Sequence, residues 1–191
     1  MQLVFATNNL NKLSELQDLF PSNIELIGLK DIGCNQELPE TQNTLEGNAM
    51  QKAEFVFEHF GYNCFSDDTG LEIGALKNEP GVYSARYAGQ NCNPNDNIQK
   101  VLKKLIGRND RTARFRTVIA LIIDGKKSLF EGECEGAITK ERKGENGFGY
   151  DPIFLPKGVN ITFGQMTKRQ KGAISHRGRA IKKLVNFLQK N

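Results

Sequence analysis

The chain's 191 residues suit one domain or two small lobes sharing a core, and 38% hydrophobic with 25% charged residues is the balance of a soluble globular protein. A net charge of +4 is compatible with an anionic ligand but too small to argue for nucleic acid, and the absence of Trp and of an aromatic strand motif argues against an RNA-binding module. The 4 cysteines contain no Cys-x-x-Cys pair, the stretch Met1 to Ala6 lacks the basic region and long apolar core of a secretory signal, and no apolar run nears the roughly 18 residues of a membrane span, so a cytoplasmic chain with reduced thiols is expected.

Leu3 to Ala6 is a short apolar run with the character of a buried strand. The polar segment Thr7, Asn8, Asn9, Leu10, Asn11, Lys12 follows, and then Leu13, Leu16, Leu19 and Phe20 at helical spacing. A polar loop between strand and helix presents backbone N–H groups where ligands of α/β proteins gather. Lys12 adds a charge suited to a triphosphate, although Asn capping of the helix explains the same residues and no Walker loop is present. A second strand is expected at Ile24 to Ile27.

Asn43 with Glu46 has the form of a capping box, opening a helix that ends at Phe60 before Gly61. Its apolar face carries Leu45, Ala49, Ala53 and Val56, and Lys52 is either a phosphate ligand or part of a solvated face. Tyr62 to Ser66 reads as a strand leading into Asp67-Asp68-Thr69-Gly70, two carboxylates before an expected glycine turn. Adjacent carboxylates are costly unless a cation neutralises them, and Mg²⁺ takes one or two carboxylates plus phosphates and water. Strand alternation lets one of the pair face a metal, taken as Asp68, with Glu40 as a second ligand; Asx capping is the competing reading.

Residues 74 to 91 are turn-rich. Asn93-Pro94 opens a helix to about Ile106, and Ala113 to Ile123 and Lys127 to Glu135 form a hairpin about Asp124-Gly125. Gly147-Phe148-Gly149-Tyr150-Asp151 is either an aromatic wall for a planar base or a tight turn anchored by two rings, and a strand follows at Ile153 to Leu155. Lys171, Ser175, His176 and Arg177 fall at the start of an expected last helix, Ser175 to Gln189, where free N–H groups and cations favour an anion. Its face of Ile181, Leu184, Val185 and Leu188 packs on the core. The pattern is a mixed α/β fold without a clean domain boundary, any division into lobes falling near residues 75 to 110.

Six segments in this order resemble the inosine/xanthosine triphosphate pyrophosphatase family over nearly the whole chain. They are Ala6-Thr7-Asn8-Asn9 with Lys12, Glu46-Gly47-Asn48-Ala49 with Lys52, Ser66-Asp67-Asp68-Thr69-Gly70-Leu71, Pro80 to Tyr87, Phe148 to Phe154, and Ser175-His176-Arg177-Gly178. The resemblance implies one nucleoside triphosphate pyrophosphatase domain over residues 1–191, a two-lobed mixed-sheet fold about a central cleft, a homodimer, and no nucleic-acid or membrane partner. It implies Mg²⁺-dependent cleavage of ITP, dITP or XTP to the monophosphate and pyrophosphate. Thr7 to Lys12 with Lys52 would hold the triphosphate, Glu40 and Asp68 the metal, and Asp68 would act as base. Thr69 would touch substrate, and Phe148, Gly149, Tyr150, Asp151, Lys171, His176 and Arg177 would form the base pocket. Asn8 and Asn146 stand where the family often has glycine.

Overall fold

The computed structural model describes residues 1–9, 11, 12, 16 and 20–190. The apolar run at the N-terminus forms β1 (Gln2–Phe5), and Glu25–Gly28 forms β2 parallel to it. Residues 11, 12 and 16 are helical; Leu16 is fully buried, while Leu13 and Leu19 of the expected face lie outside the described residues.

Helix α1 (Leu45–Phe60) starts one residue later than the Asn43 box implied, because Thr44 is the cap: its side chain accepts from the Gly47 N–H. Gly61 ends the helix in the left-handed conformation, as expected. Replacing Thr44 with Ala should cost about 1 kcal/mol by orphaning that N–H, whereas Asn43→Ala should leave stability within roughly 0.5 kcal/mol; denaturant midpoints compare the two.

β3 (Cys64–Ile73) corrects the expected glycine turn, because the strand runs straight through Asp67, Asp68, Thr69 and Gly70. Gly70 is glycine for another reason: a Cβ there would meet the Gly81 carbonyl oxygen at 2.7 Å, where β4 (Glu79–Gly81) pairs antiparallel with β3. Helix α2 (Pro94–Lys104) is capped by Asn93, whose side chain accepts from Asn95 and Asp96, with proline in the first turn. β5 (Thr112–Ile123) and β6 (Lys126–Ile138) flank Asp124-Gly125, and β6 is three residues longer at its end than read. β7 (Phe154–Pro156) pairs antiparallel with β6.

The expected last helix forms almost as read, over His176–Leu188, but a further short helix precedes it. α3 (Lys168–Ile174) is capped by a Thr167–Gln170 box, Ser175 is extended, and α4 (His176–Leu188) follows. Lys171 therefore belongs to α3, while His176 and Arg177 open α4.

The seven strands form one sheet in the order β2-β1-β3-β5-β6-β7, with β4 on β3. Parallel β1–β2 and β1–β3 pairs beside antiparallel β3–β4 and β6–β7 pairs make the sheet mixed. The chain divides into two compact units, the first 1–68, 117–132 and 178–191, the second 69–116 and 133–177. The division is not at residues 75 to 110: β3, β5, β6 and α4 each pass from one unit into the other. The first unit buries Leu3, Phe5, Phe65, Ile119, Leu121 and Leu184 together, with the Phe5 and Phe65 rings stacked at 4.6 Å. The second gathers Leu71, Ile98, Val101, Phe115, Phe154 and Phe163, with Phe115 4.7 Å from Phe154.

Candidate functional site

In the first unit, the pairing of β1 with β3 brings the loop after β1 to the strand that carries the two aspartates. Asn9 caps the helical segment, accepting from the N–H groups of Asn11 and Lys12 at 3.0 and 3.3 Å, so the capping reading describes Asn9. Asn8 bonds the neighbouring loop through Gln36 and Leu38, and Thr7 accepts from the Asn9 N–H. Leu10 lies outside the described residues. The Lys12 side chain turns to Asp67, with its ammonium 2.8 Å from Oδ1 and 3.2 Å from the carbonyl.

Lys52 is no solvated lysine. It is 4% exposed on the buried face of α1 with Asn48, Ala49 and Ala53. Its ammonium donates to Glu40 at 2.5 Å and to the Asp67 carbonyl at 2.9 Å, and lies 3.8 Å from Asp68 Oδ1. One backbone oxygen thus receives two ammonium groups, and two cations sit among the carboxylates of Glu40, Asp67 and Asp68.

Burial pushes the Asp68 carboxyl above its ordinary value, against the lowering influence of Lys52 and Lys12; Glu40 adds to the rise and the Asn48 amide opposes it. Burial alone would lower the Lys52 pKa, but Asp68, Glu40 and Asp67 hold it above the usual lysine value. The set therefore contains a fixed ammonium beside a carboxyl with enhanced proton affinity, which suits electrostatic stabilisation paired with base chemistry. Among the described residues no three His, Cys, Asp or Glu side chains gather as a metal-binding group. Glu40 and Asp68 are two carboxylates that could hold a phosphate-bound Mg²⁺, which takes one or two from protein.

In the second unit, Asp151 accepts from Lys171 at 2.6 Å and from the Phe148 N–H at 2.8 Å. Both charged side chains are buried. The Lys171 ammonium lies 4.7 Å from the Phe148 ring centroid and the Arg177 guanidinium 5.5 Å from it. Arg177 also donates to Thr69 Oγ1 at 3.2 Å. The Tyr150 hydroxyl donates to the Ser84 carbonyl at 2.8 Å, and burial pushes its pKa up. Tyr150 is thus the anchor of this loop, while Phe148 and Gly149 are half-buried. His176 is 3% exposed and stacks on Phe115 at 4.5 Å, which makes it a packing element of the segment that presents Arg177.

Two polar residues inside the segments that carry the resemblance were given no role of their own in the sequence. Ser84 accepts from the Leu71 N–H and donates to the Gly81 carbonyl, tying β3 to β4. Asn48 donates to Asp68 at 3.2 Å. Its signal was available: an amide falling on the apolar face of α1, four residues before Lys52.

Comparison with known proteins places this arrangement. A family model described as the Ham1 family matches residues 3–187. A dITP/XTP pyrophosphatase of Christiangramia forsetii is 54% identical over 190 residues, all of both chains, and one of Thermoanaerobacter pseudethanolicus is 40% identical over 193, covering 100% of this chain and 98% of its own. Among solved structures, the Staphylococcus aureus Ham1 protein superimposes with a TM-score of 0.90 at 41% identity, over 100% of this chain and 99% of that one. A HAM1 protein from Coxiella burnetii gives 0.92 at 38%, over the full length of both. Agreement over the whole length, in sequence and in backbone alike, leaves one assignment: the chain belongs to the Ham1 family.

Proposed function

We propose that this chain hydrolyses dITP, ITP and XTP to the nucleoside monophosphate and pyrophosphate, removing aberrant purine nucleotides. The observation that carries the reading is the pair of lysines, Lys12 and Lys52, fixed on the Asp67 carbonyl beside the raised carboxyl of Asp68. The names of full-length relatives supply the substrate class.

Asp68 orients a water and takes its proton as the water attacks the α-phosphorus. Lys12 and Lys52 stabilise the charge that develops on the departing pyrophosphate, and because both are already held in place, little reorganisation is needed at the moment of reaction. Two ammonium groups stand against three carboxylates here, so a triphosphate requires further positive charge. Glu40 and Asp68 fit that need and would hold Mg²⁺, which when bound neutralises phosphate charge and polarises the phosphoryl oxygens.

The second set reads the base. Phe148 offers a flat face, and Lys171, fixed by Asp151, offers a donor to the 6-keto oxygen of hypoxanthine or xanthine. Adenine would set an amino group against that donor, at a cost of about 1–3 kcal/mol for an unpaired buried group. The chain is also taken to act as a homodimer, on the strength of the family resemblance, and in the cytoplasm, on the strength of its widely spaced cysteines. No helix among the described residues is long and apolar enough to cross a membrane.

The test is pyrophosphate release from ITP, XTP, dITP, GTP and ATP, each with Mg²⁺ and with EDTA. Release from the first three, little from GTP or ATP, and none in EDTA is expected. Equal turnover of ATP would remove the base-reading role of Lys171, and undiminished turnover in EDTA would remove Mg²⁺.

A further inference from the structure

We propose that Asn48 is a positioning residue for this hydrolysis: its side-chain amide sets the Asp68 carboxylate and, at the same time, anchors the loop that carries Glu40. The inference rests on the hydrolase reading above.

The amide has only one workable orientation. Gln42 N–H is a donor and lies 2.9 Å from the Asn48 side chain, so Oδ1 must face it. Nδ2 is then turned to Asp68 Oδ2 at 3.2 Å, where an acceptor waits. Asn48 is fully buried, so neither bond is readily replaced by water.

The bond to Gln42 is part of a larger clamp. Gln51 accepts from the Thr41 N–H and donates to Thr41 Oγ1, both at 2.9 Å, and Lys52 holds Glu40. Positions 48, 51 and 52 are i, i+3 and i+4, which share one helix face. They grip loop residues 42, 41 and 40 in that reversed order. The loop lies against the helix at Gly47, where a Cβ would come within 2.7 Å of the Gln42 Cβ. One turn of α1 therefore fixes Glu40 and also reaches Asp68, through the Lys52 ammonium and through the neutral amide of Asn48. No other side chain in the clamp links the two carboxylates by a neutral donor and acceptor, so Asn48 can hold their spacing without adding charge.

Asn48→Asp separates the two functions. It keeps an acceptor for Gln42 N–H but turns an oxygen toward Asp68, whereas Asn48→Ala removes both bonds. Pyrophosphate release from dITP by the parent chain is measured first; its absence overturns the hydrolase reading and this inference with it. With an active parent, both variants should lose about 10- to 100-fold in kcat. KM should stay within about threefold of the parent. Crystal structures of Asn48→Asp without nucleotide or metal should show the Asp68 carboxylate turned away with the loop at 40–42 in place. A purely structural Asn48 would leave Asn48→Asp active, since the loop anchor remains. A kcat within about threefold of the parent, or an unmoved Asp68, overturns the inference while leaving the hydrolase reading intact. If Asn48→Asp does not fold, Asn48→Ala still reads kcat and the place of Asp68, and Gln51→Ala, which loosens the same loop through Thr41, supplies the loop-only comparison; equal losses of kcat in the two overturn the inference.

Discussion

Asp68→Asn should lower kcat for dITP by roughly 10²–10⁴-fold, the range for removing a general base, without lowering the thermal midpoint at neutral pH. The two halves of this expectation have one cause. Asp68 is 8% exposed, and its burial, with the nearby Glu40 carboxylate, favours the protonated form more than Lys52, Lys12 and Asn48 together favour the anion. The folded protein therefore holds this proton to higher pH than the unfolded chain does. Its contribution to stability is complete below the ordinary carboxyl pKa of 3.8 and is lost as pH rises through the raised folded value. At neutral pH the ionised carboxylate is a cost, and the neutral amide of Asn removes it while keeping an oxygen for the Asn48 donor. Pyrophosphate release and calorimetry at neutral pH check the two halves. A variant that keeps near-parental turnover would end the role of Asp68 as base, and one that unfolds several degrees earlier would end the account of its burial. The same raised pKa predicts that kcat/KM of the parent falls on acidification at a higher pH than an ordinary carboxylate would give.

Much of this site was legible because its chemistry is carried by residue type at short spacing. Lys12 in a polar loop after a strand, Lys52 beside the apolar face of a helix and Asp68 at an expected strand end each stood out by residue type and place. What could not be read was which partner each charge would find. Lys12 and Lys52 converge on the same carbonyl from segments far apart in the chain, and no local pattern encodes that. Gly70 shows the same limit. A glycine after two aspartates reads as a turn, but the reason for it is the Gly81 carbonyl of another strand, a contact the neighbouring residues cannot announce. The short helix α3 is a different kind of miss. Thr167-Lys168-Arg169-Gln170 has the form of a capping box, so the start of α3 was written in local chemistry and masked by the stronger apolar periodicity that follows it. Asn48 lies between these cases: its place on the apolar face was visible, its two partners were not.

Lys171→Met should destabilise the protein by about 3–5 kcal/mol, because it leaves the buried Asp151 carboxylate without its cation. For a chain of this size that is a fall of roughly 6–20 °C in the thermal midpoint. The Phe148 N–H still bonds Asp151, but a neutral donor does not offset the loss of an ammonium at 2.6 Å from a buried carboxylate. The argument carries its own control. In Lys171→Met combined with Asp151→Asn no charge is stranded, so much of the lost stability should return even though a further polar contact has been removed. Base selectivity should not return, since the donor proposed to meet the 6-keto oxygen is missing from both variants. The ratio of kcat/KM for ITP over ATP should therefore drop by roughly 5- to 150-fold in the single and the double variant alike, the equivalent of 1–3 kcal/mol. Stability that recovers while selectivity stays lost separates the two duties of Lys171. Selectivity that survives in the double variant would mean that Lys171 serves only to neutralise Asp151, and that the keto group is read by another donor of the loop at 147–151.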